Sequence, residues 1–545
     1  MRKKVVFLSL LIGTFTNIVL AQSYYHPYSY QFYQKLNPVL YGKNTRQHTS
    51  IKPLLIDSVI QPSFDSLMYM GGRERTSWGG RKLWQEHLID VKNEEYTFYA
   101  DFLPDFQVGR SFKEGVTTWL NTRGFQFGGS IGTKFSFYTN FFESQARFPD
   151  YINAYIDENK VIPGQQGKLY DQRTGLNQDW SYATANLSYT ASKYLNVSLA
   201  YDKNFIGDGY RSLLLSDVSS NYTALKLTGT LGNVRYMSMW AYMLDPFASR
   251  YIFSEIPDDG TERSNYGDLH KWGAFQYLDW NVSNSLSLGF FQSILWAPKN
   301  AAGKRGFDFN YLNPLIFLRP IESANTSSPD KVHLGLNVKY KILNNMTSYG
   351  QFLLGEFTAK EFFAGNGYMH NKFAYQLGIK GYELFRIPKL NYLVEFNTAR
   401  PYTYQHFTPI TAYTNYNQPL AHILGANFRE GLAIINYSQK RFDFQLQGNW
   451  AMYGKDPDED TNYGGNVFKD YMNYVNFYGN YIGQGVNTHL TYLDLKTAYL
   501  INPKYNLRLE MGIGSRREWN KNMDNTTVFV NFGLRASFRN LYYDF

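Results

Sequence analysis

The chain has 545 residues and a mean hydropathy of −0.41, with aromatic residues at 18% and charged residues also at 18%. After the N-terminal stretch, no apolar run approaches the roughly 18 residues of a membrane-spanning helix, which excludes a helical membrane protein. The aromatic content and the 44 glycines argue against disorder. Because the chain has no cysteine, disulfides, thiolate metal sites and cysteine nucleophiles are excluded.

The N-terminus has the pattern of an export signal. Basic residues Arg2, Lys3 and Lys4 precede a mostly apolar stretch (5–20), and Ala21 is the small residue that precedes a cleavage site. The sequence therefore predicts a signal peptide over 1–21, cleaved after Ala21. Its removal takes three positive charges from a formal net charge of +9. The remaining basic excess is diffuse; it suits acidic glycans or lipid phosphates and gives no reason to expect nucleic acid.

Residues 22–93 do not have the pattern of the rest of the chain. Tyrosines crowd the first part of this segment, and Pro38, Pro53 and Pro62 interrupt it. We interpret it as an N-terminal periplasmic or plug segment, partly helical around 80–89. From residue 94 to residue 545 the sequence predicts a single β domain.

That β domain is marked by period-2 alternation of apolar and polar residues. In one example, Leu507, Leu509 and Met511 alternate with Arg508 and Glu510. A strand with one apolar and one polar face lies between two media. In a soluble sandwich the polar face meets water, whereas in a transmembrane barrel the apolar face meets lipid and the polar face lines a lumen.

The lengths of the connections decide between these alternatives. Short turns alternate with long polar stretches at 144–180, 204–220, 245–269, 297–331, 359–372, 398–423, 454–486 and 516–526. Tight periplasmic turns and long extracellular loops are typical of bacterial outer-membrane barrels. The sequence thus predicts an all-β fold, a transmembrane antiparallel barrel of about 18 strands. The predicted strands are 94–103, 122–131, 133–143, 181–190, 194–203, 221–231, 233–244, 270–281, 285–296, 332–342, 347–358, 373–382, 389–397, 424–436, 441–453, 487–500, 504–515 and 527–538.

The polar phase of these strands is predicted to line the lumen. Two interpretations stay open: a generic hydrated lumen, or an interior closed by ion pairs across the lumen, for example between Arg508 and Asp443 or Glu395. At the end of the chain the alternation of the last strand does not continue into Phe545, which predicts a bulge or register change near Arg539.

The sequence offers little that indicates catalysis. It has no HExxH, GxSxG or P-loop motif, and its nine histidines form no pair with metal-ligand spacing. The acidic stretch 456–460 fails the EF-hand pattern, since Thr461 stands where glycine belongs. A barrel hydrolase would need a nucleophile beside His406 or His422, and none is evident. We therefore predict a protein that is not an enzyme and needs no cofactor or metal.

Two stretches carry a resemblance to a known family. One runs Gly207-Asp-Gly-Tyr-Arg-Ser-Leu-Leu-Leu-Ser-Asp217, and the other contains Gln418-Pro-Leu-Ala-His422. Both resemble the capsule-assembly Wzi family of outer-membrane barrels, and most of all its gliding-motility RemB branch in Bacteroidota. The likeness covers most of 94–545 in strand order and is specific in these two segments. It implies a largely closed eighteen-strand barrel, without catalysis, that holds polysaccharide on the cell surface or supports gliding.

The two segments supply the candidate site residues. Glycines permit close backbone approach, carboxylates and arginine offer charge-assisted hydrogen bonds, and tyrosines offer flat faces for sugar rings. They are candidates either for glycan contact or for an inward-folded lid whose polar groups satisfy one another. The set comprises Gly207, Asp208, Gly209, Tyr210, Arg211, Ser212, Ser216, Asp217, Tyr416, Gln418, Pro419 and His422.

The functional prediction follows from these features together. It is a non-enzymatic barrel of the cell outer membrane that engages surface polysaccharide and supports gliding motility. The expected partners are surface polysaccharide, lipopolysaccharide or other outer-membrane lipid, and proteins of a gliding or secretion machinery. The alternative is a passive diffusion pore for small solutes, which the polar inward phase favours.

Overall fold

A computed structural model describes residues 23–69, 75–165, 177–246, 270–300, 303–315, 317–320 and 330–545. Eighteen antiparallel strands close into a barrel in which each strand pairs with its neighbours in the chain. The predicted fold class and strand number are thus confirmed. In chain order, β1 to β18 are Tyr96–Ser111, Val116–Ile131, Phe135–Arg147, Asn177–Ser192, Leu195–Asp202, Tyr222–Leu231, Val234–Leu244, His270–Asn281, Leu286–Trp296, Lys331–Leu343, Met346–Glu356, Lys372–Gly381, Leu390–Ala399, Phe428–Gln439, Phe442–Lys455, Val486–Asn502, Leu507–Trp519 and Asp524–Ala536.

The barrel closes where β18 meets β1. The second half of β1, Asp105 to Ser111, pairs with β18, whereas its first half, Thr97 to Ala100, pairs with the short strand Ile89–Lys92. Pro104 lies between the two halves. The first strand therefore changes its partner on one side as it crosses the wall.

Three predicted boundaries near this closure are wrong. The strands predicted at 94–103 and 122–131 are the longer β1 and β2, joined by only four residues, 112–115. The long connection predicted at 516–526 is the short turn 520–523. In each case the alternation persists through charged residues: Arg516 is buried on the inner face while Arg517 points outward and pairs with Asp524.

The other connections alternate as the sequence predicts, so the barrel has a short-turn end and a long-loop end. Turns such as 193–194, 232–233 and 440–441 lie at the first, and connections such as 203–221, 400–427 and 456–485 lie at the second. Where the structure describes the chain, no helix is both long and apolar enough to cross a membrane.

The two faces of the wall differ as predicted. Leu377, Val394 and Met511 are more than half exposed on the outer face, whereas their neighbours Gln376, Glu395 and Glu510 are buried inside. The predicted pairing of Arg508 with Asp443 or Glu395 is wrong. Arg508 instead bonds to Glu510 on its own strand, 2.8 Å away, because side chains two residues apart share a face of the strand.

The N-terminal segment lies in the lumen at the short-turn end. Lys341 on β10 donates to the carbonyl of Gly42 (2.8 Å), and Asn391 on β13 donates to the carbonyl of Gln34 (2.9 Å).

The helix expected around 80–89 is Trp78–Trp84, and the signal peptide lies outside the described residues. The other helices are Tyr30–Tyr33, Asn37–Tyr41, Gln61–Tyr69, Asp150–Asn159 and Ala359–Phe363, with 3-10 turns at Gln34–Leu36, Phe309–Tyr311, Leu384–Arg386, Pro409–Thr411 and Tyr471–Asn473. Short strand pairs join Tyr24–Tyr25 to Leu55–Ile56, Ile51–Lys52 to Phe205–Ile206, Lys299–Asn300 to Gly303–Lys304, and Thr414–Asn415 to Gln418–Pro419.

The last residues leave the wall and turn into the lumen. Beyond Ala536 the chain makes no further strand pairs, and Phe545 packs against Tyr155 of the helix Asp150–Asn159, with ring centroids 4.5 Å apart. The expected register change near Arg539 is thus a departure from the sheet. Arg539 itself lies beside Asp105 on the inner face of β1, 3.5 Å away.

Candidate functional site

The first predicted segment, within the connection 203–221, folds into the lumen and crosses to the opposite wall. Asp208 is 1% exposed. Its carboxylate accepts hydrogen bonds from Tyr41 and Ser50 of the N-terminal segment, each 2.9 Å away. This carboxylate therefore joins a long-loop-end connection to the segment that enters from the short-turn end.

Three lysines surround Asp208. Lys52 donates to the carbonyl of Gly207 (2.8 Å), Lys380 donates to the carbonyl of Asp208 (2.5 Å), and Lys339 donates to Thr49 (2.7 Å). Burial by itself raises the pKa of Asp208, but the nearby ammonium groups outweigh it and hold that pKa well below its usual range. Burial lowers the pKa of Lys52 to about 8. Asp208 is thus held as a carboxylate among compensating charges.

The glycines of this segment allow its close approach to the wall. A Cβ atom on Gly209 would lie 2.1 Å from a carboxylate oxygen of Glu395, and one on Gly207 would lie 2.4 Å from the amide nitrogen of Gln351. The carboxylate of Glu395 accepts from the backbone N–H groups of Tyr210 (2.9 Å) and Arg211 (3.1 Å). The approach that the sequence predicts for these glycines is therefore made to the barrel's own inner face.

Arg211 forms the centre of a second buried network. Its guanidinium donates to both carboxylate oxygens of Glu430 (3.3 and 2.9 Å) and to Asp544 (2.9 Å). His422 also lies 2.7 Å from Glu430. Burial lowers the pKa of His422, although the Glu430 carboxylate opposes it. The network thus ties both predicted segments and the C-terminal residues to one carboxylate of β14.

The other candidate residues of the first segment also form hydrogen bonds within the protein. Ser212 donates to the carbonyl of Ile206 (2.5 Å), and Asp217 accepts from the hydroxyl of Tyr542 (2.8 Å). Burial raises the pKa of Asp217. The backbone N–H of Ser216 donates to the carbonyl of Leu420 (2.7 Å), so the structure brings the two predicted segments into direct contact.

The second segment closes over the first. Gln418, fully buried and paired through the short hairpin that includes Pro419, accepts from the N–H of Gly164 (2.6 Å). Tyr413 donates to the carbonyl of Leu214 (2.5 Å). Tyr416, whose backbone is left-handed with φ 49°, is the least buried candidate. Tyr210 and Tyr413 are buried, so their rings are not available to a sugar from outside.

A different set of aromatic rings is exposed at the long-loop end. Rings from the connections 357–371 and 456–485 form the rim aromatic cluster (Tyr368, Tyr474, Phe477 and Tyr478), with centroid separations of 5.1 to 5.6 Å. Phe477 is 37% exposed and Tyr478 is 49% exposed. Sequence reasoning missed this cluster. The signal was present as five aromatic residues within 471–481.

The rim aromatic cluster is held rigidly and lies beside charged groups. Three backbone hydrogen bonds fasten its two connections together: Met369 to Phe477, Gly479 to Asn366, and Asn480 to Gly367 (2.8 to 3.0 Å). Next to it, the partly exposed His370 and Glu356 side chains lie 2.8 Å apart, and beneath them the buried Lys372 lies over the ring of buried Tyr471 at 3.1 Å. Such an arrangement of flat apolar faces with adjacent polar groups suits recognition of a sugar ring.

The acidic residues of 456–460 make their contacts within their own connection. Asp456 pairs with Lys469 (2.9 Å), and Asp458 accepts from the backbone N–H of Thr461 (2.7 Å). Across the residues that the structure describes, no group of three His, Asp or Glu side chains is placed to hold a metal ion. His406, considered above for catalysis, contacts the hydroxyl of Thr411 (2.6 Å).

No family model matches the chain, and no curated protein does. Among solved structures the chain is similar to Wzi of Escherichia coli, an outer-membrane protein described as involved in group 1 capsule assembly and as a carbohydrate-binding β-barrel. That match has a TM-score of 0.55 and 12% identity over 95% of this chain and 100% of Wzi. OprD of Pseudomonas aeruginosa gives a TM-score of 0.41 at 9% identity over 80% of this chain and 94% of its own. The likeness to Wzi shows a shared fold, so that part of the sequence resemblance is confirmed. The RemB branch stays a prediction.

Proposed function

We propose that the protein is a non-enzymatic barrel of the outer membrane that binds cell-surface polysaccharide at its long-loop end. The observation that carries this proposal is the rim aromatic cluster, in which exposed rings stand beside the His370 imidazole and the Glu356 carboxylate, 2.8 Å apart. The predicted signal peptide and the apolar outer wall support the location. The structural similarity to a carbohydrate-binding barrel supports the ligand class.

In this proposal the twelve candidate residues act as the lid rather than as the ligand contacts. Arg211 holds the inward-folded connection 203–221 against the wall, Asp208 holds it against the N-terminal segment, and the connection lies beneath the outer rim. A rigid base limits the freedom that the surface loops lose when they bind, which favours affinity. The role of the buried residues is therefore to pre-organise the binding surface.

The test compares variants of the rim with a matched control. Phe477→Ala and Tyr478→Ala are each expected to weaken binding of the organism's purified surface polysaccharide by about 1–2 kcal/mol, roughly five- to thirtyfold. The control is Tyr194→Ala, because Tyr194 is as exposed (50%) as Tyr478 but lies at the short-turn end. Titration calorimetry with the purified protein measures the difference. Absence of binding by the unaltered protein would exclude the proposal, and equal affinity of all three variants would move the site away from the rim.

The same proposal predicts how cells without the protein retain their surface polysaccharide. A strain that lacks the protein is expected to shed polysaccharide that the parent retains, and Tyr478→Ala is expected to restore retention less well than Tyr194→Ala. A role in gliding motility, which the sequence resemblance implies, belongs to this proposal as well. Tracking cells of the same strains as they move on a surface tests this role. If the strain that lacks the protein loses both polysaccharide retention and gliding, the two functions are linked; if it loses retention alone, the role in gliding is excluded.

The diffusion-pore alternative has less support. The lumen contains the N-terminal segment, the inward-folded connections and the C-terminal residues, and two cavities of about 220 Å³ each lie beside them. The purified protein is therefore expected to show no steady conductance in a planar bilayer. Regular single-channel steps at neutral pH would favour the pore instead.

A further inference from the structure

The connection after β9 runs down the outside of the barrel. The carbonyl of Tyr311 accepts from the indole of Trp240 on β7 (2.8 Å), and the carbonyl of Asn313 accepts from Gln276 on β8 (3.2 Å). Gln276 points outward, since its neighbour Phe275 packs near Tyr413 within the lumen. We call this part of the connection the outer strap (residues 305–315 and 317–320).

The wall beneath the outer strap is unusually polar. Ser238, Gln276 and Gln292 lie opposite one another on β7, β8 and β9, all on the outward phase. Hydrocarbon would leave these groups without hydrogen-bond partners, which is costly. The outer strap supplies partners for the two glutamines: the backbone N–H of Leu318 donates to Gln292 (3.0 Å), and Gln276 donates to the carbonyl of Asn313 (3.2 Å). Gln292 also donates to Gln276 within the wall, whereas the hydroxyl of Ser238 is buried and has no hydrogen-bond partner among the described residues. The strap thus covers a polar stripe on a face that is otherwise apolar.

The wall also provides hydrogen-bond partners for the backbone of the strap. Irregular backbone is tolerated at membrane depth only where its polar groups find partners. Wall side chains donate to carbonyls of the strap in four places, and turn bonds within the strap satisfy several of its N–H groups, such as that of Leu315 with Asn313 (3.0 Å). The four pairs of donor and acceptor are Trp296 with Gly306, Trp240 with Tyr311, Gln276 with Asn313, and Tyr236 with Pro314.

The side of the strap that faces away from the wall is mainly apolar. Phe309, Leu315 and Phe317 are 77%, 80% and 75% exposed. We call these three side chains the crest. The crest forms one apolar surface with the exposed wall residues Phe290 and Leu334, which lie beside the strap on β9 and β10. Two exposed asparagines, at positions 310 and 313, and the exposed Arg319 interrupt the crest. A mixed surface of this kind suits the boundary between lipid headgroups and acyl chains.

The contact between the strap and the wall lies well below the long-loop end. Gln276 lies six residues from His270, where β8 begins at the long-loop end. At about 3.3 Å per residue and a tilt near 40°, the contact lies roughly 15 Å below that end along the barrel axis. The strap therefore reaches the part of the wall that hydrocarbon surrounds in a membrane whose core is about 30 Å thick.

We infer that the outer strap is a lipid-binding element whose crest inserts among the acyl chains of the outer leaflet, while its inner side seals the polar stripe of the wall. The partner is a lipid surface, recognised by its acyl chains. This inference concerns a different face of the molecule from the polysaccharide surface and does not depend on it.

The absence of cysteine from the chain allows a direct test. The purified full chain with Leu315→Cys carries a nitroxide label and is placed in vesicles of phosphatidylethanolamine and phosphatidylglycerol. Collision of the label with oxygen, which concentrates in lipid, is compared with collision with a water-soluble nickel complex. Leu377→Cys is the lipid-exposed reference, because Leu377 is 61% exposed on the outer face of β12. Phe363→Cys is the aqueous reference, since Phe363 is 82% exposed in a long-loop-end connection.

The label at Leu315 is expected to behave like that at Leu377, with an oxygen-to-nickel ratio at least fivefold above that at Phe363. A label at Phe317→Cys is expected to agree. A ratio at Leu315 equal to that at Phe363 would overturn the inference, because the crest would then stand in water. Shielding from both reagents would overturn it too, since a second copy of the chain would then cover the crest instead of lipid.

Discussion

Arg211→Met is expected to release the inward-folded connections from the wall. Removing one partner of a buried ion pair leaves uncompensated charge and costs about 3–5 kcal/mol. Here Glu430 and Asp544 would both lose the guanidinium that lies between them. Because 1.4 kcal/mol corresponds to a factor of ten, amide hydrogens of 203–221 and 537–545 are expected to exchange at least a hundredfold faster. Hydrogen exchange read by mass spectrometry measures this segment by segment, while the strands of the wall report whether the barrel persists.

Arg517→Met is the matched control. Arg517 also pairs with a carboxylate, that of Asp524 at 2.8 Å, but both side chains are about half exposed. Solvent screens an exposed pair, so its contribution to stability is small, and exchange of the same segments is expected to stay within a few-fold of the unaltered protein. Equal effects of the two substitutions would show that the Arg211 network does not hold the lid.

The strands of the wall were predictable because their pattern depends on residues that are neighbours in the sequence. A strand between two media alternates residue by residue, and that pattern survives wherever one face is buried. The errors in strand limits fall where charged side chains enter this pattern, as at Arg516 and Arg517. A charged residue on the inner face of a barrel is compatible with a strand when a partner meets it, and Arg516 has Glu518 at 2.9 Å.

The arrangement of the site was only partly predictable. Polar loops that fold inward and polar loops that stay exposed have the same composition, so both the glycan and the lid interpretations were open for Asp208 and Arg211. What distinguishes them is the set of partners, such as Ser50 and Glu430, which lie far away in the chain. Long-range pairing of this kind leaves no local pattern in a single sequence.

The outer strap shows a signal of another type. Gln276 and Gln292 break the apolar phase of strands that are otherwise regular on their outer face. Each break alone is compatible with a tolerated polar residue. Two of them directly opposite each other indicate that something other than lipid covers that part of the wall, and residues such as Asn313 and Leu318 do so.

Asp208→Asn is expected to loosen the N-terminal segment in the lumen. Asparagine keeps the shape of the side chain but removes the charge that compensates Lys52, Lys339 and Lys380. By the same reasoning as for a broken buried pair, the expected cost is about 3–5 kcal/mol. Amide hydrogens of 41–52 are thus expected to exchange at least a hundredfold faster at pH 7. Asp524→Asn is the control, because Asp524 and its partner Arg517 are each about half exposed, so the same amide hydrogens are expected to exchange at nearly the unaltered rate.

The pH dependence separates charge from shape. The pKa of Asp208 is lower in the folded protein than its unfolded value near 3.9, since the lysine charges outweigh burial. The carboxylate therefore contributes fully above about pH 4, and its contribution is lost as the pH falls through the folded value. The difference in protection between the unaltered protein and Asp208→Asn is expected to stay constant from pH 7 to about 4 and to shrink below that. A difference that remained unchanged in stronger acid would show that packing around the side chain, and not its charge, fixes the N-terminal segment in the barrel.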